Sequence, residues 1–468
     1  MVDAIDIEID HDRNASSGSA NYYGYITGGA TPAARVANSI VSAYDQNVQI
    51  HLPEQSIATI VEDNALRLLL DLLRLDASTW SCRTFTTGAT ASNILGLLCG
   101  REHIINEAIK RHVSRSGVCN GAGTVGENGL LSACRAANIE NIQILTTMPH
   151  SSLLKACSIA GFGRSCVIDV GVSKESLEID LGILEDCLKR ENTVSILALS
   201  CGEVNTGLFT THGVTEVERL RVLCDNYGAW IHIDAAFGVF ARVLENEPEF
   251  DRVRAGAEGL EFADSITADA HKLLNVPYDC GFFFCRHVDL SQQVFRNPNA
   301  AYLSFNTGGG ATIVSPLHIG IENSRRFRGL PVYATLMAYG RQGYKEMLIR
   351  QIHFARVVAT FIHHHPALEL LPEHIAQGNG AGKEIFVIVL FRAKDPGLNA
   401  ELVSRINASA QIYVSGTMWG GKPASRIAVS NWQVDPQRDL GRVRGVIEGV
   451  LSSWSDTRST DLSVDQVL

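Results

Sequence analysis

The runs SILALSC (195–201), TEVERLRVLCDNYG (215–228) and AWIHIDAA (229–236) decide the fold. Two short β-rich runs flank a longer one of helical spacing, and strand, helix and strand in that order make a parallel crossover unit. The alternation continues outward, to IQILTT (142–147) with SSLLKACSIAG (151–161) on one side and DSITAD (264–269) with GFFFCRH (281–287) on the other. The reading is an α/β fold with a mainly parallel central sheet covered on both faces by helices. Its site is expected at the carboxyl ends of the strands.

On either side of this core the pattern changes. Residues 1–20 and 456–468 are polar and small and read as flexible tails. From about residue 33 to 75 the apolar spacing is helical, as in TIVEDNALRLLLDLLRL (59–75), where Leu66, Leu69, Leu70 and Leu73 share a face. After about 330 the long helical run PVYATLMAYGRQGYKEMLIRQIHFARVVATFIHHH (331–365) precedes two strand-like runs, EIFVIVLFRA (384–393) and RIAVSNW (426–432). The expected division is a helical N-terminal segment over 21–54, a large domain over 55–330 and a small α+β domain over 331–455.

With 46% hydrophobic and 19% charged residues, the 468-residue chain can bury a substantial core. A net charge of -10, from 50 acidic and 40 basic residues without a long Lys/Arg run, argues against nucleic acid and anionic membrane partners. No run of about twenty apolar residues occurs, and MVDAIDIEID is acidic where a secretory signal is basic and then apolar, so a cytoplasmic location is expected. The eleven cysteines form no C-x-x-C pair and read as reduced, core-filling thiols, with no disulfide framework and no metal site.

Four short segments carry chemistry. In ADSITADAHKLLNVPYDCG (263–281) His271 and Lys272 follow a strand, which aims the lysine at the crevice beyond the sheet. An ammonium there is costly unless it forms an imine or meets an anion, so Lys272 reads as a covalent carrier; a lysine snorkelling to the surface is the alternative. In AWIHIDAAFG (229–238) Asp234 closes an apolar strand, where a carboxylate needs a cation such as a protonated pyridine nitrogen, or else serves as a cap or turn. TTGATASN (86–93) sets glycine and small hydroxyl residues before the helical run ILGLLCGREHII, either as a phosphate seat or as a plain N-cap. In MPHSSLLKA (148–156) His150 stands between strand and helix, placed to stack on a flat ring and touch a substrate carboxylate, or to act structurally.

Taken in order, these segments resemble the pyridoxal-phosphate-dependent decarboxylases of group II, which include aromatic amino acid, tyrosine, histidine and glutamate decarboxylases. The likeness runs from about Tyr23 to about Trp454 and takes in YGYITGGATPA (23–33), SRRFRGLP (324–331), AYGRQGY (338–344) and RIAVSNW (426–432). It implies the type I pyridoxal-phosphate fold, aspartate aminotransferase-like, with pyridoxal 5'-phosphate as cofactor and an amino acid as substrate. It also implies a homodimer with the active site at the subunit interface. By the same resemblance Lys272 holds the cofactor as a Schiff base with His271 beside it, Asp234 pairs with the pyridine nitrogen, His150 stacks on the ring and Ala236 lies against it. Gly88, Ala89 and Thr90 would hold the phosphate, and Asn205 in GEVNTG (202–207) would make a polar contact to the cofactor. Tyr25, Thr27 and Ile50 fall on substrate-facing positions, and His51 adds polarity there.

Two departures bear on the chemistry. Group II members that make amines usually carry, in the loop before the SRRFR segment, a tyrosine that returns a proton to Cα. Here Pro316 of SPLHIGIEN (315–323) stands about there, and no tyrosine lies between Tyr302 and Tyr333. His318 is the nearest acid, with Thr312 and Ser315 as weaker substitutes. Aldehyde-forming relatives lack that tyrosine too. The expected activity is therefore decarboxylation of an L-amino acid through an external aldimine and a quinonoid. Oxidative deamination to an aldehyde and carbon-carbon bond formation on the same scaffold are the alternatives, and a non-catalytic relative is a remote one. The second departure is Asp269, where asparagine is common; its carboxylate would repel a phosphate dianion, so it is assigned no phosphate contact.

Overall fold

Seven strands build the larger sheet, in the order Cys82–Thr86, Gly281–Cys285, Ser265–Asp269, Trp230–Asp234, Thr193–Ser200, Asn141–Thr146 and Val167–Asp169. The last five pair in parallel. Gly281–Cys285 runs antiparallel to both of its neighbours, so Cys82–Thr86 points the same way as the parallel set. Ser265–Asp269 and Gly281–Cys285 are buried at every residue, the continuous burial that a sheet covered on both faces requires. The helices Ala89–Ser116, Ser151–Ile159, Leu181–Leu188 and Val214–Tyr227 make the crossovers. This is the mainly parallel α/β arrangement that the alternation predicted.

The computed structural model describes residues 17–116, 124–297, 313–376 and 382–464. Thr312, Cys119 and the outer parts of both expected tails lie outside the described residues. The chain divides into a larger unit, Thr31–Val204 with Leu208–Tyr344, and a smaller one, Met1–Ala30, Asn205–Gly207 and Lys345–Leu468. In the smaller unit the strands lie in the order Tyr22–Tyr23, Tyr413–Trp419, Lys422–Ala428, Ile388–Ala393 and Leu368–Leu371, all antiparallel except the first pair. The helices Pro396–Ala408 and Pro436–Val464 accompany them, so residues 456–464, read as tail, continue a helix.

The run expected as one long helix is helical over Gly329–His364 but interrupted at Gly340, with φ 56° and ψ -172°. Glycine adopts that backbone at least cost, and no change in the flanking apolar spacing announces it. In the larger unit, Arg325 of the SRRFRGLP segment forms a buried ion pair with Glu62 and also donates to Thr84 Oγ1 at 3.2 Å. The short antiparallel pairing of Arg325–Arg326 with Asn47–Val48 fixes the chain on either side. The ten described cysteines are free thiols, and all but Cys134 are buried. Among the described residues no helix is long and apolar enough to cross a membrane.

Candidate active site

The parallel strands of the larger unit deliver their chemistry-bearing residues just past their carboxyl ends. Thr86 leads into Gly88, Thr146 into His150, Asp234 into Ala236 and Asp269 into His271 and Lys272. All of these but Thr86 and Thr146 line one cleft of about 290 Å³ within the larger unit. Gly88, Ala89, Thr90, His150, Asp234, Ala236, His271 and Lys272, eight of the residues proposed from sequence for the cofactor, meet there.

Lys272 keeps 18% of its side chain exposed, and its Nζ lies 3.0 Å from Asp269 Oδ2 and 5.8 Å from the centre of the Phe237 ring. The other carboxylate oxygen of Asp269 accepts the Ala89 N–H at 2.6 Å, so this buried aspartate caps the helix Ala89–Ser116. One amide expected for a phosphate is thereby engaged by a carboxylate. His271 Nδ1 accepts the Cys280 N–H at 3.2 Å, which places the ring proton on Nε2. Burial lowers the His271 pKa against the opposing pull of Asp269, and its ring stacks on Tyr278 at 4.3 Å. His150 caps the helix Ser151–Ile159: its Nδ1 accepts the Ser152 N–H at 3.2 Å and lies 2.7 Å from Ser152 Oγ. Asp234 Oδ2 accepts from Asn93 Nδ2 at 2.9 Å, and its Oδ1 accepts the Ala236 N–H at 3.4 Å.

The remaining sequence-derived residues stand elsewhere. Asn205 belongs to the smaller unit, where its Oδ1 accepts from Thr417 Oγ1 at 2.7 Å. Tyr25, exposed, and Thr27, buried, also belong to that unit. His51 donates its N–H to Ser315 Oγ at 3.0 Å, and its Nδ1 lies 2.7 Å from Thr59 Oγ1; neither it nor Ile50 lines the cleft. His318 ends the short turn Pro316–His318, where its Nδ1 accepts the Asn297 N–H at 3.4 Å, and it does not line the cleft either. Sequence reasoning missed Asn93, Phe237 and Tyr278. Phe237 directly follows the Asp234 strand and Tyr278 lies seven residues past His271, so both were within reach of the same argument, whereas Asn93 acquires its role only through partners distant in sequence.

The donor set fits pyridoxal 5'-phosphate. It offers a primary amine for the aldehyde, a carboxylate for the ring nitrogen, an imidazole with a fixed tautomer, and the start of a long helix, where a Cβ added to Gly88 would lie within 3.5 Å of both His271 and Asp269. Lysine, aspartate and histidine at the ends of parallel strands define a pyridoxal-phosphate protein of the type I fold. The family described as pyridoxal-dependent decarboxylase conserved domain matches residues 35–392, and the chain belongs to that family.

Among its relatives, the L-2,4-diaminobutyrate decarboxylase of Acinetobacter baumannii is 28% identical over 328 residues, covering 69% of this chain and 58% of that protein. The phenylacetaldehyde synthase of Arabidopsis thaliana is 26% identical over 290 residues, covering 60% and 55%. The chain thus spans little more than half the length of these two curated relatives. The crystal structure of Oryza sativa TDC with PLP and tryptamine shares the fold with a TM-score of 0.75 at 20% identity, over 94% of this chain and 85% of that one.

Proposed function

We propose that the protein decarboxylates an L-amino acid with pyridoxal 5'-phosphate carried on Lys272, and that it works as a homodimer. The observation that carries this reading is the meeting of Lys272, Asp234 and His150 in one cleft, Asp234 at the end of one strand and Lys272 just past the strand paired to it. When bound, the cofactor supplies an electron-withdrawing ring that takes up the electron pair released as carbon dioxide leaves Cα. Lys272 is the amine that would hold it in place. Asp234 keeps a proton on the ring nitrogen. His150, whose Nδ1 accepts the Ser152 N–H, carries its ring proton on Nε2 and orients a flat ring and a substrate carboxylate. The cap geometry at Gly88, Ala89 and Thr90 seats the phosphate, with Asp269 holding the helix start in place. Tyr25, Thr27, Ile50 and His51 are assigned to substrate contact, and Asn205 to the cofactor.

A second reading, release of an aldehyde, is favoured by Pro316, which brings no hydroxyl to the place of the usual proton-returning tyrosine, and by His318 lying outside the cleft. The similarity to a phenylacetaldehyde synthase agrees with it. Borohydride reduction followed by peptide mapping tests the shared core of both readings: a pyridoxyl label on Lys272 is expected, and an unlabelled Lys272 would refute both. Carbon dioxide release across the common amino acids identifies the substrate. Amine with unchanged oxygen then supports decarboxylation alone, and aldehyde with peroxide supports the second reading.

A further inference from the structure

Behind Asp234 lies a fully buried chain of polar side chains that no step above uses. Asn93, His232, Ser265 and Trp230 are all 0% exposed. Asn93 Nδ2 donates to Asp234 Oδ2 at 2.9 Å, and a carboxylate can only accept, which fixes which end of the amide faces it. The same Nδ2 donates to Ser152 Oγ at 3.2 Å, so both of its hydrogens are engaged. Asn93 Oδ1 must then be the acceptor of the 2.8 Å contact with His232 Nε2, which puts the imidazole proton on Nε2. Burial pushes the His232 pKa down to about 4 against the opposing pull of Asp234, so near neutral pH the ring carries one proton only and Nδ1 is bare. Nδ1 therefore accepts the Ser265 hydroxyl hydrogen at 2.8 Å, while Ser265 Oγ accepts from Trp230 Nε1 at 3.0 Å. Every donor points the same way, from Trp230 through Ser265, His232 and Asn93 to Asp234. Gly96 makes room for it, since a Cβ there would lie 2.5 Å from His232 Nδ1.

We propose that Asn93, held by His232 and Ser265, is a positioning residue that keeps Asp234 ionised and so keeps the proton on the cofactor's ring nitrogen. The inference rests on the reading that Asp234 faces that nitrogen. A donor on the far oxygen stabilises the carboxylate over the acid, so the shared proton resides on the ring; without it the carboxylate becomes the better base and draws the proton away. Hydrogen bonds to charged groups are strong enough for this to move the proton equilibrium about tenfold to a hundredfold.

The test uses the full-length holoenzyme loaded with cofactor labelled at the ring nitrogen, whose NMR signal reports protonation directly. In Asn93→Ala the signal is expected to move to the unprotonated position, with the ring losing its proton at least about one pH unit lower than in the parent. His232→Gln, which can still donate to Asn93 and accept from Ser265, is expected to keep the parent signal, and His232→Leu to shift it in the same direction as Asn93→Ala. A folded, loaded Asn93→Ala protein with the parent signal would overturn the proposal. Should that variant not fold, the His232 pair decides: equal signals in the glutamine and leucine variants would overturn it too, and a shift in leucine alone would support it. Failure of the underlying reading looks different, because the parent itself would then bear no label on Lys272 after borohydride.

Discussion

Replacing Gly96 by alanine pits two effects of opposite sign against each other. In an exposed helix interior the change would stabilise by about 1 kcal/mol, because alanine is the better helix former. Gly96 is not exposed: an added Cβ would sit 2.5 Å from His232 Nδ1 and closer still to Cε1, about 1 Å inside an ordinary van der Waals contact. The imidazole has no free rotation with which to yield, being held at 2.8 Å by Asn93 and at 2.8 Å by Ser265. Either the helix Ala89–Ser116 lifts from the sheet, at about 1–3 kcal/mol for overpacking, or the ring leaves its two buried partners, at about 1–3 kcal/mol for each group left unsatisfied. The cheaper route sets the outcome, and against the gain of about 1 kcal/mol in propensity a net loss of up to about 2 kcal/mol is expected. Urea unfolding followed by tryptophan fluorescence measures it, with Gly445→Ala as control. Gly445 lies exposed on the helix Pro436–Val464, and nothing within 4 Å would meet its Cβ, so that variant is expected to gain up to about 1 kcal/mol. If the midpoint of Gly96→Ala rises as that of Gly445→Ala does, His232 is not clamped against the helix and the reasoning fails.

Glu62→Gln strands Arg325 in a site where the two side chains are 6% and 4% exposed, and a loss of about 3–5 kcal/mol in thermal or urea stability is expected. The double variant Glu62→Met with Arg325→Met is expected to cost less than the single one; a larger cost would contradict the charge argument. With its pKa held near 4 by burial, against an ordinary 6.5, His232 refuses a proton that the unfolded chain accepts between those pH values. Stability therefore falls as pH drops through that window, by up to about 3 kcal/mol, and His232→Gln is expected to flatten the slope. Matching pH profiles for parent and variant would disprove the assignment. Asp269→Asn keeps an acceptor for the Ala89 N–H but removes a negative charge beside the expected phosphate, so cofactor affinity measured by titration is expected to rise about tenfold. A weaker affinity would show that the charge itself is needed.

What was legible in the sequence is what a polar group costs locally. A sheet buried on both faces demands continuous apolar runs, and GFFFC or SILALS can scarcely be anything else. Asp234 stood out because it closes such a run and Lys272 because it follows one, where an unpartnered charge is expensive, and His150 because it stands between a strand and a helix. Asn93 was illegible for the converse reason: it sits in a stretch where Gly, Ser, Thr and Asn are all ordinary caps, and its partners Asp234 and His232 lie 141 and 139 residues away. Asp269 shows how a sound local argument can be incomplete. Repulsion from a phosphate counted against its having a role, yet its carboxylate caps a helix that begins 180 residues earlier and pairs with Lys272 three residues on. Those two contacts give Asp269→Asn effects of opposite sign. Without cofactor the variant leaves the Lys272 ammonium, only 18% exposed, beside a neutral amide, so the unloaded protein is expected to lose about 1–3 kcal/mol. The same substitution removes the repulsion a phosphate would meet, which favours loading. A carboxylate here thus stabilises the empty site at the expense of affinity, and an Asp269→Asn protein that was both more stable empty and weaker in binding would contradict this account on both counts.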